Sequence, residues 1–167
     1  MLIRNEAPGD IPAIAQVVTE AMRLLPQATG TEARIVEKLR ESGALTLSLV
    51  AEDDGAAIGY LAASAARIGA QDGWGLIGPL AVSPVWHRQG IGSALMAQAL
   101  SRLREICRGA VLVGDPAYYG RFGFRAYPGL FVPGCPPEAV QALPFGAAAV
   151  PQGELIHHPA FGLDQQE

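Results

Sequence analysis

The stretch Leu80-Ala81-Val82-Ser83-Pro84-Val85-Trp86-His87-Arg88-Gln89-Gly90-Ile91-Gly92-Ser93-Ala94-Leu95 limits the possible folds more than any other part of the chain. An apolar run ends at a proline and a loop follows. Apolar residues then recur at helical spacing through Ile91, Leu95, Met96, Ala99, Leu103 and Ile106. A strand therefore feeds a helix through a loop that carries Gly90 and Gly92. Glycines let backbone N–H groups approach an anion closely, and a helix N-terminus carries about half a positive charge. Together these form a phosphate cradle. Two common nucleotide fingerprints do not fit: no third glycine follows at Rossmann spacing, and no Gly-Lys-Ser/Thr is present.

The flanking sequence supplies the rest of the elements. Residues 2–5 read as a short strand, broken by Pro8-Gly9-Asp10, with Asp10 expected to cap a first helix. Ile11, Ile14, Val17, Val18, Ala21, Met22 and Leu25 form its apolar stripe, and Pro26 is expected to end it. Thr31 is expected to cap a second helix, with Gly43 as its stop. Residues 45–52 and 56–66 read as a hairpin turning at Asp53-Asp54-Gly55, with Gly59 marking a bulge or a close approach. Leu76 to Val82 is apolar throughout, as in a strand covered on both faces.

The long helix is expected from Gly90 to Arg108, followed by a buried strand at Val111-Leu112-Val113. Asp115-Pro116 opens a brief helix, and residues 124–127 read as a short strand. Residues 128–153 are rich in proline and glycine and are expected to be mostly ordered loop before a last strand at 154–157. This order predicts a mixed α/β (α+β) fold with a largely antiparallel sheet and one parallel crossover.

Composition narrows the function classes. At 167 residues and 50% hydrophobic content, the chain fits one domain with a sizeable core. The net charge of −4 and the scattered arginines disfavour a nucleic-acid partner; Arg102, Arg104 and Arg108 read as a solvated helix face. No apolar stretch is long enough to span a membrane and no secretory leader opens the sequence, so a cytoplasmic location is expected. Cys107 reads as a buried inert thiol, and Cys135 as a loop cysteine without a catalytic signature. No metal-ligand spacing occurs.

A second pattern lies downstream of the glycine loop: Gly114-Asp115-Pro116-Ala117-Tyr118-Tyr119-Gly120-Arg121-Phe122-Gly123-Phe124, with Tyr119 four residues before Gly-Phe. The stretch from Leu80 through Gly92 resembles the pyrophosphate-binding motif of the GNAT N-acetyltransferase superfamily, and the downstream stretch resembles its second signature. The spelling of that signature, with the proline-rich tail and His157-His158-Pro159-Ala160-Phe161, looks most like the bacterial YhbS-like branch. The resemblance implies one N-acetyltransferase domain over residues 1–167. Its mostly antiparallel central sheet would carry a V-shaped splay and be flanked by helices. Acetyl-CoA (coenzyme A) is the implied cofactor.

Carried over residue by residue, the implied cofactor-binding set is Leu80, Ala81, Val82, His87, Arg88, Gln89, Gly90, Ile91, Gly92, Ser93, Tyr119 and Phe122. His87 stands where the family motif usually has Gln or Arg, and the adjacent Arg88 can supply the missing charge. The strand bearing Leu80, Ala81 and Val82 is implied to pair with the pantetheine arm as an added strand would. The Val82 N–H would then face the thioester carbonyl, a donor commonly worth ~3 kcal/mol to an oxyanion. Tyr119 is the implied general acid for the leaving thiolate, because a phenol near 10 stays protonated at neutral pH. For Tyr118, aromatic packing is the expectation.

Some relatives place a glutamate on the strand beside the thioester, yet Leu76 to Val82 contains no acid. Glu20, Glu32, Glu37, His157 and His158 are substitutes that the sequence leaves unplaced. The implied activity is acetyl transfer to the amine of a small molecule or a protein by direct transfer in a ternary complex. Neither nucleic acid nor membrane is an expected partner; a homodimer is expected by analogy alone, with residues 128–153 as a candidate interface. Two readings compete: a catalytically silent acyl-CoA-binding sensor or scaffold module, and a nucleotide-binding protein.

Overall fold

The computed structural model describes residues 1–26, 28–147 and 150–165. Strand β1 (Leu2–Asn5) pairs antiparallel with β2 (Leu45–Asp53), and β2 with β3 (Ala56–Ile68). The β2–β3 turn places Asp54 at φ +49° and Gly55 at φ +80°. A tight hairpin of this hand requires left-handed backbone at both central residues. Next, β3 pairs antiparallel with β4 (Gln71–Val82). Helix α3 (Ile91–Leu103) then carries the chain over to β5 (Gly109–Val113), parallel to β4. Beyond β5 lies β7 (Val140–Pro144), giving the spatial order β1-β2-β3-β4-β5-β7. Strand β8 (Gly153–Ile156) joins the far end of β3 and pairs in parallel with β6 (Leu130–Phe131).

The feature that opens a site is where pairing stops. Strands β4 and β5 share only the pairs Trp74–Gly109, Gly75–Ala110 and Leu76–Val111. Past Leu76 and Val111 they part, while β4 stays on β3 and β5 stays on β7. This is the expected V-shaped splay. A bulge in β4 accompanies it: Leu61 faces Leu80 and Ala63 faces Ile77, so Gly78 and Pro79 together oppose Ala62. The extra residue reverses which side chains face which layer. Ile77 enters the core under α3, whereas Ala81, four residues on, enters the opposite core.

Two cores sandwich the sheet. On one face α3 buries Leu95, Met96 and Leu103 against Leu49, Leu61, Ile77 and Leu112. On the other, α1 (Ile11–Met22) buries Ile14, Val17 and Val18 against Val50, Tyr60, Ala62 and Ala81. Helix α2 (Glu32–Glu41) adds Ile35 and Leu39 beside Ala160 and Phe161 of the C-terminal turn. Gly59 marks a close approach: a Cβ there would stand 3.0 Å from Ile91 Cγ2 and 3.1 Å from Leu95 Cδ1. Gly43 stops α2 as expected, at φ +70°, with Ala44 N–H bonded to Leu39 O at 2.8 Å and Gly43 N–H to Arg40 O at 3.1 Å.

Several expectations need correction. Asp10 precedes α1 but caps nothing in it; its carboxylate pairs with Arg4 and accepts the Ala7 N–H, and Arg4 holds it at about 2. Thr31 makes no side-chain cap either. The Glu32 carboxylate instead accepts from the Thr29 and Gly30 backbone N–H groups. Helix α1 ends at Met22, before Pro26; the chain leaves it through tighter turns, with Leu24 N–H bonded to Ala21 O at 3.4 Å and Leu25 N–H to Met22 O at 3.0 Å. Helix α3 ends at Leu103, and Ile106 lies exposed.

Residues 124–127 form only the single bridge Arg125–Ala142. The larger miss is 128–153, expected as loop: it holds β6, β7 and the start of β8, while residues 148 and 149 lie outside the described residues. Strand β7 tolerates Pro144 because it is an edge strand, where a missing N–H breaks no second ladder. Cys107 is half-buried rather than buried, with its thiol pushed up by burial. Among the described residues, no helix is long and apolar enough to cross a membrane.

Candidate active site

At the N-terminus of α3 the first helical bond runs from Ala94 N–H to Gly90 O at 3.0 Å. The N–H groups of Ile91, Gly92 and Ser93 precede it and have no carbonyl within the helix to bind. Arg88 at φ +63° and Gly90 at φ +81° are both left-handed and flank Gln89. Such alternation curls successive N–H groups toward one concave side, the geometry of an anion nest. The His87 Nε2 donates to the Val82 carbonyl at 2.8 Å, tying the loop back to the strand that precedes it. His87 thus braces the loop where the family motif usually has Gln or Arg.

From this cradle the cleft runs into the splay. Ser83 N–H bonds to Ile58 O at 2.8 Å, and Ser83 continues the β3–β4 register in which Ala81 faces Tyr60 and Val82 faces Gly59. Alternate residues of an antiparallel strand direct their backbone groups to opposite sides. The N–H groups of Ala81 and Ser83 therefore face β3, and those of Leu80 and Val82 face the gap. Val82 lies nearer the cradle, its Cγ2 3.8 Å from where a Cβ on Gly92 would be. Leu80 is one repeat deeper.

Asp115 Oδ1 accepts from Ala117 N–H at 2.9 Å and starts the short α4 (Pro116–Tyr119), which carries two phenols to the cleft. The Tyr118 hydroxyl lies over Gly92, where any Cβ would meet it. The Tyr119 ring stacks edge-on to Tyr118 at 4.9 Å and occupies the space beside Gly114 that a side chain there would need. Gln141, buried in β7, donates to Gly114 O at 3.1 Å and fixes that turn. Burial pushes the Tyr119 hydroxyl up to about 12, with Tyr118 and Asp115 adding to the effect. Burial also raises Tyr118, opposed by Arg121. The Arg121 guanidinium sits 4.5 Å from the Tyr118 ring centroid and 5.3 Å from that of Phe122.

The whole cleft encloses about 960 Å³. Leu80, Val82, His87 and Arg88 line it, as do Gly90 through Ser93 and Tyr119. Ala81 faces the α1 core, Gln89 is exposed outside the cleft, and Phe122 packs beneath Arg121. The sequence reading missed Tyr118, Arg121, Gly114 and Gln141. The doubled tyrosine was the only visible signal, and only the fold shows that adjacent phenols divide between cradle and gap. Of the unplaced acids and histidines, Glu32 and His157 reach the cleft; Glu20, Glu37 and His158 do not.

The comparisons with known proteins agree with this geometry. Residues 45–126 match the acetyltransferase (GNAT) domain family. The N-acetyltransferase YhbS of Escherichia coli K12 is 42% identical over 128 residues, 75% of this chain and 74% of that protein. A crystal structure of a GNAT family acetyltransferase from Brucella melitensis in complex with acetyl-CoA superposes with a TM-score of 0.84 at 42% identity, covering 96% of this chain and 97% of the other. That of Escherichia coli YhbS in complex with CoA gives 0.87 at 35% identity, covering 96% and 91%. With its signature residues gathered around one splayed strand pair, the chain belongs to the GNAT acetyltransferase family.

Proposed function

We propose that this chain moves the acetyl group of acetyl-CoA directly to an amine of a small molecule or protein. One observation carries the reading: a helix N-terminus with free N–H groups opens onto a strand edge whose Leu80 and Val82 N–H groups have no strand partner among the described residues. An anion site joined to an unpaired amide edge suits a ligand with a pyrophosphate at one end and amides along its arm. Close relatives with bound acetyl-CoA and CoA support the same ligand here.

An arm that enters at the phosphate cradle passes Val82 before Leu80. This direction supports Val82 as the donor that pairs the arm and Leu80, about 7 Å deeper, as the donor to the thioester oxygen. That exchanges the role first expected of Val82. A backbone N–H aimed at this oxygen stabilises the negative charge that develops on attack by the amine. The amine nitrogen bonds to the carbonyl carbon, the carbon–sulfur bond breaks, and the Tyr119 hydroxyl gives its proton to the departing sulfur. The nitrogen must shed one proton to a base.

Two measurements test the reading. CoA at 100 times its dissociation constant is expected to stabilise the fold by ~2.7 kcal/mol, because it binds only the folded state. A melting curve unmoved by saturating CoA would overturn the proposal. Thiol release from acetyl-CoA is then followed with phenethylamine, hexylamine, spermidine, kanamycin and a peptide beginning with alanine. CoA binding without release on any of them would mark a silent sensor module.

Arg121 supplies a further expectation. Stacked on Tyr118 at the rim of the cradle, it offers the nearby anion site a positive charge. Arg121→Ala is expected to weaken CoA binding about threefold, the scale of one exposed charge contact. Isothermal titration at low and high salt checks it, and the deficit should shrink as salt rises. An equal deficit at both salts would point to lost packing instead.

A further inference from the structure

We propose that His157 is the general base of the transfer, its Nε2 taking the proton that the acceptor nitrogen loses as the amide forms. The proposal rests on the acetyl-transfer reading above and adds to it a residue and a side of approach.

The tautomer follows from one contact. His157 Nδ1 lies 3.1 Å from the His158 carbonyl oxygen. A carbonyl only accepts, so Nδ1 carries the hydrogen. In a neutral imidazole the other nitrogen then holds the free lone pair. Nε2 makes no hydrogen bond among the described residues, and the half-buried ring lines the cleft. Its plane is set by Phe161, with ring centroids 5.4 Å apart. A base needs an oriented ring, a lone pair and access to the reacting atoms.

The position also fits the chemistry. Leu155, two residues before His157, packs with Leu76, Val111, Val132 and Phe161. Phe161 in turn packs on Ile35 of α2. This wall belongs to the face of the sheet that carries α1 and α2. Tyr119 packs on the opposite face, with the α3 core. An amine that approaches from the α1–α2 side meets His157, while the departing sulfur meets Tyr119 across the gap. The amine adds to one face of the planar thioester, and the sulfur leaves the tetrahedral carbon along a separate bond. A base and an acid on different walls of the gap can therefore serve the two proton transfers.

The competing groups are otherwise engaged. Glu32 lines the same end of the cleft, but its carboxylate accepts from the Thr29 and Gly30 N–H groups and the Thr29 hydroxyl, holding the turn before α2. His158 Nδ1 accepts the Ala160 N–H and its Nε2 lies 3.3 Å from Ser42 Oγ, away from the cleft. The titratable groups that line the cleft with His157 are Glu32 of α2, Cys135 of the loop after β6, His87 and Arg88 of the glycine loop, and Asp115, Tyr118, Tyr119 and Arg121 of α4 and its flanks.

The test uses thiol release with the fastest amine of the panel above, for wild type, His157→Ala and His157→Gln. Both variants are expected to lose ~10²-fold in kcat, a typical general-base contribution. Both should keep the full CoA-induced rise in melting temperature. The deficit should narrow as pH rises, because hydroxide then takes the proton in place of the missing imidazole. Added imidazole should restore His157→Ala and leave His157→Gln, whose side chain fills the space, unchanged. Wild-type turnover in either variant overturns the proposal, as does a slow His157→Ala that imidazole cannot rescue at any pH. A wild type that binds CoA but acetylates no amine removes the acetyl-transfer reading itself.

Discussion

Gly92→Asp is expected to abolish CoA binding while leaving a folded protein. The backbone at Gly92 is ordinary helix, so strain is not the cause; the cause is what lies around it. A Cβ would meet the Tyr118 hydroxyl on one side and stand 3.8 Å from Val82 Cγ2 on another. A carboxylate built there would occupy the concave side of the Ile91, Gly92 and Ser93 N–H groups and take the bonds that a pyrophosphate needs. Affinity should fall by more than ~10²-fold, since several charge-assisted bonds are lost together at ~1.5–3 kcal/mol each. The CoA-induced rise in melting temperature should vanish with it. Gly92→Ala displaces Tyr118 without adding charge and should cost about tenfold. Gly90 differs: it sits at φ +81° with nothing within 4 Å of a Cβ. Gly90→Asn, which tolerates left-handed backbone, should therefore bind CoA nearly normally. CoA affinity within threefold of wild type in folded Gly92→Asp would show that the loop merely starts a helix.

The contrast between these two glycines shows where sequence reading ends. The glycine loop, the strand before it and the helix after it were legible because turn chemistry and helical period act over a few residues. The hairpin at Asp54-Gly55 and the stop at Gly43 were legible for the same reason. Strand β7 was not. Its sequence, Val140-Gln141-Ala142-Leu143-Pro144, lies among prolines, and it becomes a strand only because β5 offers a full-length edge. The bulge at Gly78-Pro79 was hidden too, since it is defined by a partner on β3. The site divides along the same line. The cradle is local, so its residues could be named. The acceptor wall joins α2, the loop after β6 and the C-terminal turn, and only tertiary packing brings Glu32 and His157 there while leaving Glu20 and His158 outside.

Tyr119→Phe is expected to lower turnover by ~10²-fold at neutral pH with CoA affinity unchanged, since it removes one oxygen and keeps the ring. The phenol is held at about 12 by burial, so it remains a proton donor throughout the working range. Against a thiol near 8.5 in water, delivery of that proton is uphill by ~3.5 units, or ~5 kcal/mol. The leaving sulfur is not in water, however. The same burial that raises the phenol disfavours a naked thiolate in the gap and makes it a stronger base. The two pKa values converge as the bond breaks, and transfer occurs during departure rather than before it. The deficit should therefore stay flat from neutral pH upward and narrow only as pH nears 12, where the wild-type phenol ionises and no longer donates. A second readout isolates the hydroxyl. Its folded pKa lies above the unfolded value, so the stability it contributes is complete below pH ~10 and is lost as pH climbs toward 12. Tyr119→Phe should lose less stability than wild type over that interval, with Tyr60, also at about 12, accounting for much of the remaining slope. Undiminished turnover in Tyr119→Phe on a good amine would remove the acid from Tyr119 and leave the fold and the cradle standing.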